Sequence, residues 1–556
     1  MRMFEECFGT GPFIFRINEN GTGPQLLSQV CLERGWKEYN PEVCDNWNLW
    51  WRTSGFSVSH HKNLYAWQFI NHIPKGSIIC RKDNLVRFLR CMRKVYGSIY
   101  DFSPDGFNLP LEYTKLAAEC SKGKTLPCKE NSRGTYLEEK PIWICKPAAQ
   151  SQGRGIFLFR KLSELNYDTN TIVQRYIEKP LLIGGYKFDL RLYVCIPSYH
   201  PLTIFMYREG LARFGTDKFS LNDLRNPFRH LTNSSINKLG PGYNELKERV
   251  GSGCKWTFRQ LRRYFQQAGI HDWLLWQRIT SLVILTVLSH VNQIPKSINC
   301  FEFFGFDVLI DNSLKPWLLE VNLSPALSND CDADRLVKKP MLHDMFDLLG
   351  LPLYNTGLSV FNIWLDDEKE ENKNYQNEKL TLANTVTVIN AAGRWRKKQR
   401  KMPSRQASAR STSAVRSRVR NTSASQVRRN VSSQKETVNL PKVQLDGRSY
   451  NQTLNGQTVE EDYKKFSSHK NWGNGRNWCI PNAREGGWIR LWPFNVENNV
   501  KTEANENIKH MVNQVIKFTK TAKELAKKHE AASESQLNEF LQRNVGMTGD
   551  VWIPSV

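Results

Sequence analysis

Asp307, Glu320 and Asn322 are the residues whose types and spacing most clearly suggest chemistry, because each interrupts an otherwise apolar run in FEFFGFDVLIDNSLKPWLLEVNLSPAL, residues 301 to 327. That run reads as two strands joined by a polar turn at Asp311, Asn312 and Ser313, since β-branched and aromatic stretches bounded by turn formers signal a hairpin. Glu320 and Asn322 are two apart, so in an extended strand their side chains leave the same face. An isolated buried carboxylate costs about several kcal/mol, so two carboxylates and an amide gathered in a core call for a cation. Magnesium suits such a set, because it takes hard oxygen ligands and keeps room for waters and phosphates. The alternative is a hairpin whose end is merely solvated.

Fixed cations lie upstream. WICKP ends in Lys146 and is followed by the small, polar run AAQSQGRGI and a second strand, IFLFR. A loop holding Gly153 and Gly155 between two strands can close over phosphates with its backbone N–H groups while Lys146 adds a compact charge; a plain glycine-containing hairpin is the competing reading. Gln174, Arg175, Tyr176 and Ile177 end the next strand, where backbone groups can meet a base edge. In YKFDLRLYV, Phe188, Leu190, Leu192 and Val194 face one way and Lys187, Asp189 and Arg191 the other. Two cations and one acid suit a polyphosphate, and a salt-bridge ladder is the alternative. Arg213 ends the following strand, a polar loop spans Leu231 to Asn237, and Lys255 opens the helix before a buried one. Gly123-Lys124-Thr125 mimics the end of a phosphate-binding loop, but Ala118 stands where the first glycine belongs, so that reading is rejected.

These residues need a large α/β framework. The chain of 556 residues exceeds one core, so two or three lobes and a looser part are expected. A small α/β lobe is expected over 12–75, with a helix from Pro24 to Gly35 between PFIFRI and WNLWW. Trp36, Trp47, Trp50, Trp51 and Trp67 are read as its core rather than as a nucleic-acid stacking platform. An amphipathic basic helix is predicted over Lys82 to Tyr96 and a buried helix over Ile279 to Val291, a run too short to span a bilayer. Thirteen scattered cysteines without a CxxC pair argue for a reduced compartment and against a zinc module. The beginning, MRMFEECFGT, has no apolar signal core, and no membrane insertion is expected.

Taken in order, WICKP, SQGRGI, QRYI, KFDLR, GLARF, LTNSSINK, GFDVLID and PWLLEVNLSPAL resemble the signature of the tubulin tyrosine ligase-like family over residues 12 to 350, and within it the glutamylating members. The resemblance implies an α/β (α+β) ATP-grasp core of three lobes, with a central lobe over 76–180 and a C-terminal lobe over 181–350. It implies that Lys146, Gln152, Gly153, Gln174 to Ile177, Lys187, Phe188, Asp189, Thr232 and Asn233 bind ATP, and that Asp307, Glu320 and Asn322 hold Mg2+. Arg213, Ser234, Ser235 and Lys255 would hold free L-glutamate, with Lys146, Lys187 and Arg191 serving the transferring phosphoryl group. Many glutamylating members carry tyrosine where this chain has Ser234, so one substrate contact is shortened. The implied function is ATP-dependent ligation of glutamate onto glutamate side chains of acidic tubulin tails, in the cytoplasm on the cytoskeleton, cilium or basal body included. Ligation of another amino acid, a non-tubulin acidic acceptor, and an inactive scaffold for acidic partners are the alternatives; nucleic acid is not an expected partner.

Beyond Leu351 the pattern changes. Asp366 to Lys379 holds six acids and three lysines, while Ala391 to Asn430 holds thirteen Lys or Arg and no acid, more than half of the net charge of +24. This basic block reads as a disordered tail that meets an acidic partner, within a linker over 351–442. Because an acidic segment follows the core directly, weak microtubule binding and a need for accessory protein subunits are expected. Aromatics return over Trp472 to Asn495 in the last segment, 443–556, and one helix is predicted from Asn505 to Gln542, either docked on the core or facing a partner.

Overall fold

The first sheet is parallel because each apolar run is carried back over it before the next begins. Its strands run in the order Lys37–Glu38, Ile14–Ile17, Leu49–Trp51 and Phe69–Ile70. The first return is the helix Gln25–Glu33, which buries Leu26, Leu27, Val30 and Cys31 on one side. Trp36, Trp47, Trp50 and Trp51 are all buried, so this lobe's tryptophans are packing. The computed structural model describes residues 13–43, 46–121, 124–126, 137–148, 153–167, 170–352, 471–497 and 507–556. They fall in one compact unit, Met1–Trp364 with Glu460–Val556. The acidic and basic stretches of the linker, and Gln152, lie outside the described residues.

The second sheet is antiparallel, in the order Gly106–Leu109, Thr171–Arg175, Trp143–Pro147, Phe157–Phe159. The helix Lys82–Tyr96 buries Leu85, Val86 and Leu89 and leaves its basic side outward.

The third sheet has nine strands around Tyr186–Tyr199, a fourteen-residue strand buried along its whole length. Alternation sends Leu190, Leu192, Val194 and Ile196 into one core with the helix Trp273–Leu288, and Tyr193 and Cys195 into another with Met341 and Met345 of the helix Asp332–Leu348. The helix Trp273–Leu288 belongs to the one described stretch, Trp273–Gln293, long and apolar enough to cross a membrane; 83% of its apolar window is buried within the protein, as a core helix requires.

The end of the chain completes this sheet. Trp488–Trp492 pairs antiparallel with Leu202–Tyr207, and the helix Ile508–Lys528 sets Met511, Val512, Val515, Phe518, Ala522 and Leu525 into the core. The single helix expected from Asn505 to Gln542 is instead two, Ile508–Lys528 and Glu534–Val545. The break has a local cause: Ser533 and Gln536 form a reciprocal capping box, which starts a new helix more favourably than it continues an old one. All described cysteines are free thiols.

Candidate active site

The hairpin forms as Glu302–Ile310 against Pro316–Asn322, with Asp307 opposite Glu320 and Gly305 opposite Asn322. That register brings the three oxygen-bearing side chains together. Asn322 Nδ2 lies 3.3 Å from Asp307 Oδ2 and 3.3 Å from Glu320 Oε1. Gly305 is needed beside them, since a Cβ there would meet Pro325 Cβ at 2.8 Å and Arg191 Cδ at 3.2 Å.

Arginines from the neighbouring strands neutralise this acid centre. Arg191 Nε donates to Asp307 Oδ1 at 2.5 Å, Arg213 Nη2 sits 2.9 Å from Asp307 Oδ2, and Arg213 also forks onto Asp189 at 2.8 and 2.5 Å. Burial alone would raise the Asp307 pKa, but Arg191 and Arg213 hold it below the ordinary carboxylate range. The polar face of Lys187 to Arg191 is therefore partly a ladder. Arg191 is bound to Asp307 and is not among the residues lining the neighbouring cleft, so its contact with a phosphate would run through that carboxylate.

The cleft lies between the second and third sheets and encloses about 840 Å³, part of it open to solvent. Lys146, Gly153, Gln174, Arg175, Tyr176, Ile177, Lys187, Asp189, Arg213, Thr232, Asn233, Asp307 and Glu320 all line it. Lys146 Nζ donates to Gln174 Oε1 at 2.9 Å. Lys187 Nζ donates to Tyr176 Oη at 3.0 Å and to the His230 carbonyl at 2.8 Å. Among the described residues neither ammonium is ion-paired. Burial, reinforced by the like charge of Lys146 and only partly offset by Asp189, lowers Lys187 to about 7; burial likewise lowers Lys146 to about 8 despite Glu320. Gly153 has φ +76, and a Cβ there would meet Ile236 Cδ1 at 2.3 Å, so only glycine lets that turn close on the cleft.

Other expected residues sit elsewhere. Phe188 points into the apolar core. Ser234 and Ser235 open a short helix, Ser234–Asn237, with Ser235 exposed, and neither lines the cleft. Lys255 is buried on the strand beside Arg213 and donates to Asp334 at 2.7 Å.

Three residues with no distinctive sequence signal join the site. Lys82, the first residue of its helix, reaches to 3.5 Å from Glu320 and lines the cleft. His230 presents its carbonyl to Lys187 and its ring to Tyr176 Oη at 3.0 Å. Asp334 anchors Lys255. Only the tertiary fold assembles them, because they come from three distant elements.

The sequence profile of the tubulin-tyrosine ligase family matches residues 58–356. The chain belongs to that family. Its fold is accordingly the family's ATP-grasp-like α/β arrangement. Probable tubulin polyglutamylase TTLL2 of Homo sapiens is 46% identical over 355 residues, 63% of this chain and 58% of that protein. The Mus musculus protein of the same name is 47% identical over 344 residues, 61% of this chain and 62% of its own. Tubulin polyglutamylase TTLL5 of Mus musculus is 36% identical over 342 residues, 59% of this chain and 24% of its own. The chain thus spans less than two thirds of the length of each of these family members.

The donor set fits a magnesium ion with its nucleotide. Asp307 and Glu320 supply carboxylate oxygens, Asn322 supplies an amide oxygen once the amide is turned over, and the remaining positions suit waters and phosphates.

Proposed function

We propose that this chain is an ATP-dependent ligase that joins free L-glutamate to the γ-carboxylate of glutamate residues in acidic tubulin tails. The observation that carries the reading is one cleft with two ammoniums, Lys146 and Lys187, that have no ion-pair partner among the described residues, beside a carboxylate–amide cluster. A polyanion satisfies the two ammoniums, and its counter-ion would meet the oxygen cluster that Arg191 and Arg213 hold in place. The glutamylating relatives supply the substrate class.

The chemistry follows from the unreactivity of a carboxylate. An oxygen of the acceptor carboxylate attacks the γ-phosphorus of ATP, the bond to the bridging oxygen breaks, and ADP leaves; the product is an acyl phosphate. The free glutamate, its amine deprotonated, then attacks the acyl carbon, and inorganic phosphate departs as the isopeptide bond forms. Lys146 and Lys187 hold the β- and γ-phosphates, since phosphoryl transfer is mostly positioning and electrostatics. Arg191 and Arg213 orient Asp307 and Asp189. A bound magnesium ion, held by Asp307, Glu320 and Asn322, would neutralise phosphate charge. Arg213 and Lys255 receive the carboxylates of the incoming amino acid.

Incubating the purified chain with tubulin, ATP and each radiolabelled amino acid tests the reading; incorporation of glutamate supports it, and incorporation of another amino acid overturns it. An accessory subunit completes the grip on the microtubule, and the enzyme works on the cytoskeleton of cytoplasm or cilium. Tight co-sedimentation of the isolated chain with microtubules at about 150 mM salt, roughly physiological ionic strength, would contradict the subunit requirement.

A further inference from the structure

A second cavity lies behind the second sheet. It encloses about 790 Å³, part of it open to solvent, between the helix Lys82–Tyr96 and the sheet. Strand alternation separates it from the cleft: Lys146 and Gln174 share the face that carries the cleft, whereas Arg175 and its register partner Trp143 leave the opposite face. The wall of this cavity carries donors without acceptors. Tyr100 and Trp143 are 1% and 0% exposed, and among the described residues neither the Tyr100 hydroxyl nor the Trp143 indole N–H has a hydrogen-bond partner. The Arg175 guanidinium likewise has no ion pair or hydrogen bond among the described residues. The other charges of the wall are already matched. Arg90 forks onto Glu112 at 2.5 and 2.9 Å, Arg93 pairs with Asp105 and reaches Asp101 at 3.4 Å, and Glu119 is not a free carboxylate. One uncompensated cation remains, beside two buried donors whose unpaired state is unfavourable. Burial holds the Tyr100 hydroxyl protonated well beyond the ordinary phenol range, so it stays a donor. Val86, Leu89 and Phe107 give the same cavity an apolar side.

We infer that this cavity is a second ligand site, which takes a small organic monocarboxylate with an apolar body and holds it through Arg175, Tyr100 and Trp143. The carboxylate matches the single free guanidinium and accepts from the two orphaned donors, while the apolar body lies on Val86, Leu89 and Phe107. A dianion such as a phosphate monoester would bring one charge too many beside Asp105 and Glu119, and a neutral alcohol would leave Arg175 unmatched; both are penalised in a half-enclosed space. The site is distinct from the cleft and goes beyond the ligase reading, on which it does not depend.

The test is titration calorimetry of the full chain with hydrocinnamate, hydrocinnamyl alcohol and phenyl phosphate, in the absence and presence of a saturating non-hydrolysable ATP analogue. Hydrocinnamate should bind about tenfold or more tightly than either of the other two, the size of effect that one charged contact carries, and the ATP analogue should not displace it. Arg175→Met should erase the preference for the acid over the alcohol. Tyr100→Phe should weaken binding of the acid by about threefold or more without lowering the melting temperature of the free chain, since it removes a hydroxyl that has no partner there. Should Arg175→Met fail to fold, Tyr100→Phe carries the test. No measurable binding of hydrocinnamate, equal affinity for the acid and the alcohol, or acid binding unchanged in the folded variants overturns the inference. Displacement of hydrocinnamate by the ATP analogue also overturns it, because the acid would then lie in the cleft.

Discussion

The two charged regions of the cleft are built on opposite plans. In the hairpin region every acid already has cations: Asp307 holds Arg191 and Arg213, Asp189 holds Arg213, and Glu320 lies against Lys82. In the lysine region Lys146 and Lys187 meet, among the described residues, only neutral partners, an amide oxygen, a phenol and a carbonyl. Compensated charges hold their geometry with or without a ligand. Uncompensated buried ammoniums are unfavourable until an anion arrives, and the same burial lowers their pKa values. The first region is thus scaffolding for a cation site, and the second is the part whose energy changes on binding.

The comparison breaks most sharply at Glu320. Glu320→Gln is expected to abolish ligation, a loss beyond about a thousandfold, with an unchanged unfolding midpoint; full activity of the variant in excess magnesium would refute the assignment. Trp488 provides the opposite control. It is fully buried where the returning strand joins the third sheet, so Trp488→Ala should cost about 3–5 kcal/mol of stability in denaturant titrations, while the ATP KM of the folded fraction stays unaltered. Lys187→Met should weaken ATP binding by about a hundredfold, roughly 2.7 kcal/mol. The same change should raise the melting temperature of the nucleotide-free chain, because it removes an unpaired buried cation.

The smallest effect is a pH dependence. A lysine whose folded pKa is depressed sheds its proton while the unfolded chain still holds one, so the stability of the free protein should rise with pH from about 7 towards the ordinary lysine value. ATP restores those protons. Nucleotide binding above pH 8 should therefore take up protons, visible as a buffer-dependent calorimetric enthalpy, and affinity should fall as pH rises. A pH-independent affinity between 7 and 9.5 would show that Lys146 and Lys187 are not the groups that meet the phosphates.

Much of the architecture was legible in local pattern. The helix read over Lys82 to Tyr96 is present with those ends, and the hairpin follows from strand pattern and turn residues, but the register shift after Asp307 that sets it opposite Glu320 has no local signal. The helix break near Ser533 was hidden, because hydrophobic spacing continues across it and only the cap reveals it. Arg191 illustrates a second limit: alternation places it on the polar face but cannot say that Asp307 across the strand pair occupies its guanidinium.

By itself the sequence determined which residues bear oxygen and charge, and which elements carry them, since those depend on side-chain type and periods of two or 3.6 residues. The tertiary structure alone decided which cations were neutralised and which were left waiting. It also decided that residues beyond 470 complete the sheet begun near 186. Charge compensation and sheet completion depend on contacts between segments far apart in the chain, and no local period records which distant partner will arrive.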